Sequence, residues 1–285
     1  MHLLMLGIAL TFAIAIQLIK SMHSTTQSTW TTRMQRSLIG IIAPPLLLII
    51  TAIAVICMGP QGKMLGQPTG QLGYGLAWVF CGWALIFAGI LMWQALRSLR
   101  PIRCYPIQIL HGIQVRVLDQ PVLFCAQIGL WQPELVVSEG FIQTLTPQQQ
   151  KAVLTHEQAH CYYRDTFCFF WLGWCRRLTA WLPQTETYWE ELLLLRELRA
   201  DRWAAEKVDP LLLAESLVLM VRHQAINSPD YCATFSAATP PNRLAERIEA
   251  LLNDAEPFKV TYGEFWQWLG LILLPLWTIP LHHYF

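Results

Sequence analysis

Apolar residues dominate four stretches of this 285-residue chain, at about residues 3–19, 38–58, 76–96 and 265–281. A helix needs roughly 20 such residues to cross a bilayer, so each stretch predicts a transmembrane helix. The second contains Pro44-Pro45 and is expected to kink. The fourth is short and carries Pro275 and Pro280. Ala13-Ile14-Ala15 has the look of a signal-peptide cleavage site, but no Lys or Arg precedes the apolar run, and the run continues past it. The first stretch is therefore expected to be retained as an anchor.

Between the third and fourth stretches the pattern changes. Residues 107–118 are rich in Ile, Val and Leu and are broken at Gly112, as in a β-hairpin. Residues 122–128 and 135–137 are further strand candidates. Thr146, Pro147 and Gln149 then have the spacing of a helix start: a capping residue, a proline in the first helical position and a glutamine completing a capping box. That helix runs on through His156-Glu157-Gln158-Ala159-His160. Residues 166–182 are aromatic and apolar but include Arg176-Arg177, which are costly in hydrocarbon. They read as an interfacial or re-entrant helix rather than a fifth crossing. Helices are predicted at 186–207, 210–226 and 241–253. The expected architecture is a mainly α membrane protein with four transmembrane helices. Residues 1–97 hold three of them, 98–263 form an α+β domain inserted between the third and fourth, and 264–285 form the fourth.

Composition strengthens the membrane reading. Hydrophobic residues make up 54% and charged residues 14%, against roughly 25% charged in a soluble domain. Many of the 13 Trp stand near the ends of apolar stretches, where membrane–water interfaces favour them. Net charge is +1 without basic or acidic runs, so nucleic acid is not an expected partner. Lys20, Arg33 and Arg36 in the first loop, and Arg97, Arg100 and Arg103 after the third span, outweigh Lys63 in the second loop. The positive-inside rule then places the first loop and residues 97–263 in the cytoplasm, with both termini across a plasma or similar inner-type membrane. The eight cysteines form no Cys-x-x-Cys pair, and two lie in apolar runs, which argues against a disulfide scaffold. Cys161, Cys168 and Cys175 recur every seven residues, a spacing that would align them along one side of a helix as small buried hydrophobes.

His-Glu-x-x-His on a helix sets two imidazoles one turn apart on one face. His156 and His160 can then share one Zn²⁺, with Glu157 turned toward the water that the ion acidifies. Catalytic zinc takes three protein ligands and keeps one position open. Glu186, Glu190, Glu191 and Glu197 are candidates for the third. Glu197 stands out because Asp201 follows at i+4, able to bond the second nitrogen of a ligand histidine and fix its tautomer. Glu157 is then the general base that takes the water's proton and returns it to the leaving amine. His223, Arg243 and Arg247 are candidates for a second oxyanion stabiliser.

Val-Arg-Val-Leu-Asp (115–119), Pro-Glu-Leu-Val-Val-Ser-Glu-Gly (133–140), Ala-Val-Leu-Thr-His-Glu-Gln-Ala-His (152–160), Arg-Asp (164–165) and Glu-Leu-Arg-Ala-Asp (197–201) resemble the antirepressor-type membrane zinc metallopeptidases. That family includes the protease part of the β-lactam sensor-transducers and is related to the HtpX-like and CAAX prenyl endopeptidases. The resemblance covers roughly residues 75–255. It implies a gluzincin-type domain, zinc on His156, His160 and Glu197, catalysis by Glu157, a role for Asp201 behind the ligands and a supporting role for Asp165. Read without the family, Asp165 is a helix-end residue. The resemblance also implies a substrate bound as an added strand at a sheet edge, here 122–126.

The sensors carry a penicillin-binding domain after their last span. Here little sequence follows the fourth stretch and there is no Ser-x-x-Lys, so covalent β-lactam sensing is not expected. The expected function is an integral-membrane zinc endopeptidase acting on a cytoplasmic or membrane-proximal protein, through regulated cleavage of a repressor or membrane quality control. Its partners would be a protein or peptide substrate, membrane lipid, and a regulatory membrane protein or a second copy of the chain. The rival reading is a non-catalytic scaffold with a structural zinc. A metal transporter is disfavoured because the spans are nearly free of ionisable groups.

Overall fold

The computed structural model describes residues 1–22, 29–61, 63–64, 67–68, 70–224, 243–253, 270 and 272–280. The protein is mostly helical with a small mixed sheet. Contacts divide it into two compact units, Met1–Ile90 with Leu172–Leu192 and Phe258–Phe285, and Leu91–Trp171 with Leu193–Pro257.

The first unit is built on α1 (His2–Met22), α2 (Trp30–Met58) and the first part of α3 (Gln71–Ile102). Between α2 and α3 a two-residue ribbon pairs β1 (Lys63–Met64) with β2 (Gln67–Pro68). Helices α2 and α3 are long and apolar enough to cross a membrane; the apolar part of α1 is shorter. Pro44 and Pro45 lie buried within α2. Residues 265–269, 271 and 281 of the fourth predicted span lie outside the described residues. Its described part includes a short 3-10 helix at Leu274–Trp277, with Pro275 in its first turn. A polar clasp inside this unit ties α1 to the segment at 184–188. Gln17 Nε2 donates to Gly40 O at 3.2 Å and to Thr185 Oγ1 at 3.0 Å, and Tyr188 Oη donates to Gln17 O at 2.9 Å. The Tyr188 ring lies so close to Gly40 that a Cβ there would stand 2.5 Å from Cδ2.

The second unit carries a four-stranded sheet of β3 (Ile107–Leu110), β4 (Ile113–Leu118), β5 (Cys125–Ile128) and β6 (Glu134–Ser138), in the order β3-β4-β6-β5. The hairpin expected around Gly112 joins β3 to β4 through His111 and Gly112, with φ of 51° and 80°. Two positive-φ residues between strands match the right-handed twist of a hairpin. Strand β4 runs parallel to β6 with Val117 opposite Val137, and β5 runs antiparallel to β6 with Cys125 opposite Val137. Strand β5 is thus an edge. It begins three residues later than the first residue of the predicted 122–128 strand and overlaps the expected substrate edge, 122–126, only at Cys125 and Ala126. Residues 122–124 are held instead by Ser138, whose Oγ donates to Val122 O at 2.5 Å and accepts from Phe124 N at 3.0 Å.

One face of the sheet carries Val115, Val117 and Val137 into a core with Phe141, Leu154 and Met220. Those last three come from α4 (Glu139–Thr144), α5 (Pro147–Tyr162) and α8 (Pro210–Gln224). The capping box at the start of α5 forms as its residues predict. Gln149 N donates to Thr146 Oγ1 at 3.4 Å, and Thr146 N donates to Gln149 Oε1 at 3.0 Å. Helix α6 (Asp165–Leu178) follows at once, then α7 (Thr185–Ala205) and α9 (Leu244–Leu252). The three cysteines at seven-residue spacing do not share a helix. Arg164, at φ 53°, ends α5, leaving exposed Cys161 behind while exposed Cys168 and buried Cys175 fall on α6.

A Cβ on Gly140 would overlap the Pro121 carbonyl oxygen, a backbone atom that cannot swing aside. Gly140→Ala should therefore cost about 1–3 kcal/mol, seen as a lower thermal midpoint of the purified protein. An unchanged midpoint would mean that α4 shifts freely against residues 120–122.

Candidate metal centre

Helix α5 brings His156 and His160 one turn apart on the same face, both buried, with Nε2 atoms 3.2 Å apart. Helix α7 supplies Glu197, also buried, with Oε2 3.3 Å from His156 Nε2 and Oε1 3.7 Å from His160 Nε2. One ligand atom from each of the three lies within 4.8 Å of the others. Tetrahedral ligands at about 2.0–2.1 Å from an ion stand about 3.3 Å from one another. The 3.2 Å between the two Nε2 atoms matches one such edge, and each Glu197 oxygen approaches a different ring, Oε2 that of His156 at 3.3 Å and Oε1 that of His160 at 3.7 Å.

The other ring nitrogens explain why these atoms converge. His160 Nδ1 bonds Asp165 Oδ2 at 2.8 Å. His156 Nδ1 lies 2.8 Å from Asp201 Oδ1, close enough for charge pairing although not aligned as a hydrogen bond. A neutral imidazole has one N–H, and a carboxylate beside Nδ1 keeps it there. Both Nε2 lone pairs then point at each other and at a carboxylate. Three acceptors at these distances repel unless a cation lies among them. This buried His156, His160 and Glu197 group can hold a metal ion.

Further charges steady the cluster. Arg247 of α9 grips Asp201 with two bonds, Nε to Oδ2 at 2.7 Å and Nη2 to Oδ1 at 2.8 Å, and its Nη1 stands 3.3 Å from Glu197 Oε2. Arg196 places Nε and Nη2 at 2.9 and 2.7 Å from Glu197 Oε1, with its guanidinium over the Phe169 ring. Arg199 bonds Asp165 and lies over the Tyr163 ring at 4.1 Å. Asp165 is the first residue of α6, and the left-handed backbone of Arg164 lets it fold back onto His160 five positions earlier. Burial raises the Glu197 and Asp201 carboxyls, but the arginines overcome it, Arg196 and Arg247 for Glu197 and Arg247 for Asp201. Glu197 ends well below the usual carboxylate range and Asp201 below it. Burial lowers His156, yet Asp201 and Glu197 outweigh it and carry the ring up to about 9. The site holds even a proton tightly.

Glu157 follows His156 on α5. Among the described residues its carboxylate has no hydrogen-bond or ion-pair partner. Burial raises its pKa, opposed by the nearby His160 and His156 and reinforced by Glu197. Its backbone oxygen accepts from Gln127 Nε2 of β5 at 3.4 Å, and Gln127 Oε1 is buried without a partner among the described residues. Of the other candidate third ligands, Glu186 bonds Arg176 with both oxygens, Glu191 pairs with Arg33, and Glu190 is exposed. Of the oxyanion candidates, Arg247 is committed to Asp201 and Glu197, Arg243, the residue before α9, pairs with Glu246, and the His223 side chain lies outside the described residues. Arg196 and Gln127 were not singled out by the sequence. No spacing rule points to either, though Arg196 adjoins Glu197 in the chain.

Comparison of the chain with protein-family models, with curated proteins and with solved structures finds no match.

A ligand metal must displace the proton that His156 keeps. That proton stabilises the fold fully below pH 6.5 and ceases to do so as pH rises through about 9. Metal affinity should accordingly climb with pH toward about 9, with proton release, in titrations of the purified protein with cobalt(II) at several pH values. An affinity independent of pH would contradict the histidine ligation. Asp201→Asn should weaken the metal about 10–100-fold in the same titration.

Proposed function

We propose that the protein is a membrane-associated zinc endopeptidase of the antirepressor type. The observation that carries this reading is the convergence of His156, His160 and Glu197 ligand atoms within 4.8 Å of one another, with the Glu157 carboxylate, unpartnered among the described residues, on the same helix. A structural zinc site closes on four protein ligands, whereas a catalytic one keeps three and an open position. The three residues found together, and a free carboxylate beside them, favour the catalytic arrangement over a scaffold.

Zinc held by His156, His160 and Glu197 would supply Lewis acidity to a water and to a substrate carbonyl. Glu157 takes the proton from that water and delivers it to the leaving amine. Its raised pKa suits this double role, since a carboxyl nearer neutrality gives up a proton as readily as it takes one. Asp201 and Asp165 hold the two rings by their Nδ1 sides, and Arg247 fixes Asp201. An extended peptide would add to the free edge of β5, the strand whose Gln127 bonds the Glu157 backbone. Such pairing is indifferent to most side chains, which suits a protease acting on a folded repressor's exposed segment or on a damaged membrane protein. The two helices of membrane-crossing length support an integral-membrane setting, with the second unit on the cytoplasmic side by Arg97, Arg100 and Arg103 at the end of α3.

Glu157→Gln should reduce peptide cleavage by about two to four orders of magnitude while leaving one metal bound per chain. The measurement pairs proteolysis of substrate trapped and identified with this variant against metal content by mass spectrometry. Cleavage undiminished in the variant would refute the assignment. Loss of the metal together with cleavage would point to a structural part for Glu157.

A further inference from the structure

The loop after β5 carries the most exposed tryptophan of the sheet region and sets it beside the end of α3. Gly129 has φ 129°, and a Cβ there would meet Gln132 O at 3.1 Å, Pro133 Cα at 3.2 Å and Leu99 Cδ2 at 3.4 Å. The loop 129–133 therefore doubles back tightly, its base against Leu99 of α3. Leu99 also joins Phe124, Ile128 and Val136 in one apolar cluster. At the loop's tip Trp131 is 78% exposed, yet its ring lies against Phe167 of α6 with centroids 4.7 Å apart and planes tilted by 32°. Phe167 in turn meets Trp171 edge-on at 6.4 Å, and Trp171 is 42% exposed. A water-facing loop has no use for a held, outward-facing indole continuous with two more rings.

The surroundings say what covers it. Helix α3 is of membrane-crossing length, and in its last turns Trp93 and Leu96 stay 58% and 56% exposed. Arg97 lies over the Trp93 ring at 5.1 Å, and Arg97, Arg100 and Arg164 are exposed. Indoles backed by guanidinium groups at the end of an apolar helix are the composition of a headgroup layer contact: rings at the acyl boundary, cations on lipid phosphates. A second copy or a soluble partner would not need the loop that carries Trp131 to rest on Leu99, in the last turn of a membrane-crossing helix. We propose that Trp131, Phe167 and Trp171 form a foot that sits in the lipid headgroup layer beside the Arg97 end of α3. The proposal rests on reading α3 as a bilayer-spanning helix and is independent of proteolysis.

The test uses the full-length chain in nanodiscs of phosphatidylcholine and phosphatidylglycerol, with the photoreactive residue benzoylphenylalanine in place of Trp131 or, separately, of Trp93. Irradiation followed by mass spectrometry should give lipid adducts from both positions. Lipid adducts from 93 with none from 131, or adducts from 131 only to a second copy or another protein, would overturn the foot and leave the spanning helix intact. No lipid adduct from either position would overturn both. Should replacement of Trp131 impair folding, the same probe at Trp171 carries the same expectations.

Discussion

Asp201 stands 2.8 Å from His156 Nδ1 and Asp165 the same distance from His160 Nδ1, and these two approaches constrain everything else at the centre. Each fixes which nitrogen of a ring keeps its proton, and so which one offers a lone pair. Without them each imidazole could turn its N–H inward and the trio would relax into an ordinary hydrogen-bonded cluster. With them, both lone pairs and a carboxylate face one point, and the cluster needs positive charge.

Holding that arrangement takes four separate stretches of chain. The histidines come from α5, Asp165 from the turn into α6, Glu197 and Asp201 from one face of α7, and Arg247 from α9. Burying three carboxylates costs several kcal/mol each unless each is paired. Arg247, Arg196 and Arg199 meet that cost, one or two for each acid. Because guanidinium is planar and forked, Arg247 can hold both oxygens of Asp201 and still reach Glu197. The same groups that neutralise the acids thereby set their orientation.

The parts of this that a reader of the sequence can see are those written at helical spacing. The i, i+4 histidines, the Glu197–Asp201 pair and the capping box at Thr146 are each local, set by the pitch of the one helix that carries them. The arginines are not visible in this way, since Arg247 reaches Asp201 from 46 positions away. Nor does periodicity reveal where a helix stops against its own pattern. The seven-residue cysteine spacing ran straight through Arg164, whose left-handed backbone no residue preference of arginine announces. Strand β5 started later than its composition indicated because Ser138 claimed the backbone at 122 and 124 for a different purpose. The sheet order, with β4 parallel to β6 between two antiparallel edges, likewise leaves no mark in alternation alone.

Two neutral nitrogens and one carboxylate, walled by buried side chains, also impose a choice among ions. Magnesium seeks six oxygens and keeps its waters, and calcium takes six to eight. Neither finds enough oxygen here to replace its hydration shell, even though both are abundant in cells. Borderline first-row metals that accept imidazole at low coordination number lose little on entering. Selectivity against the commonest divalent ions is therefore a property of the donor atoms themselves and requires no gate.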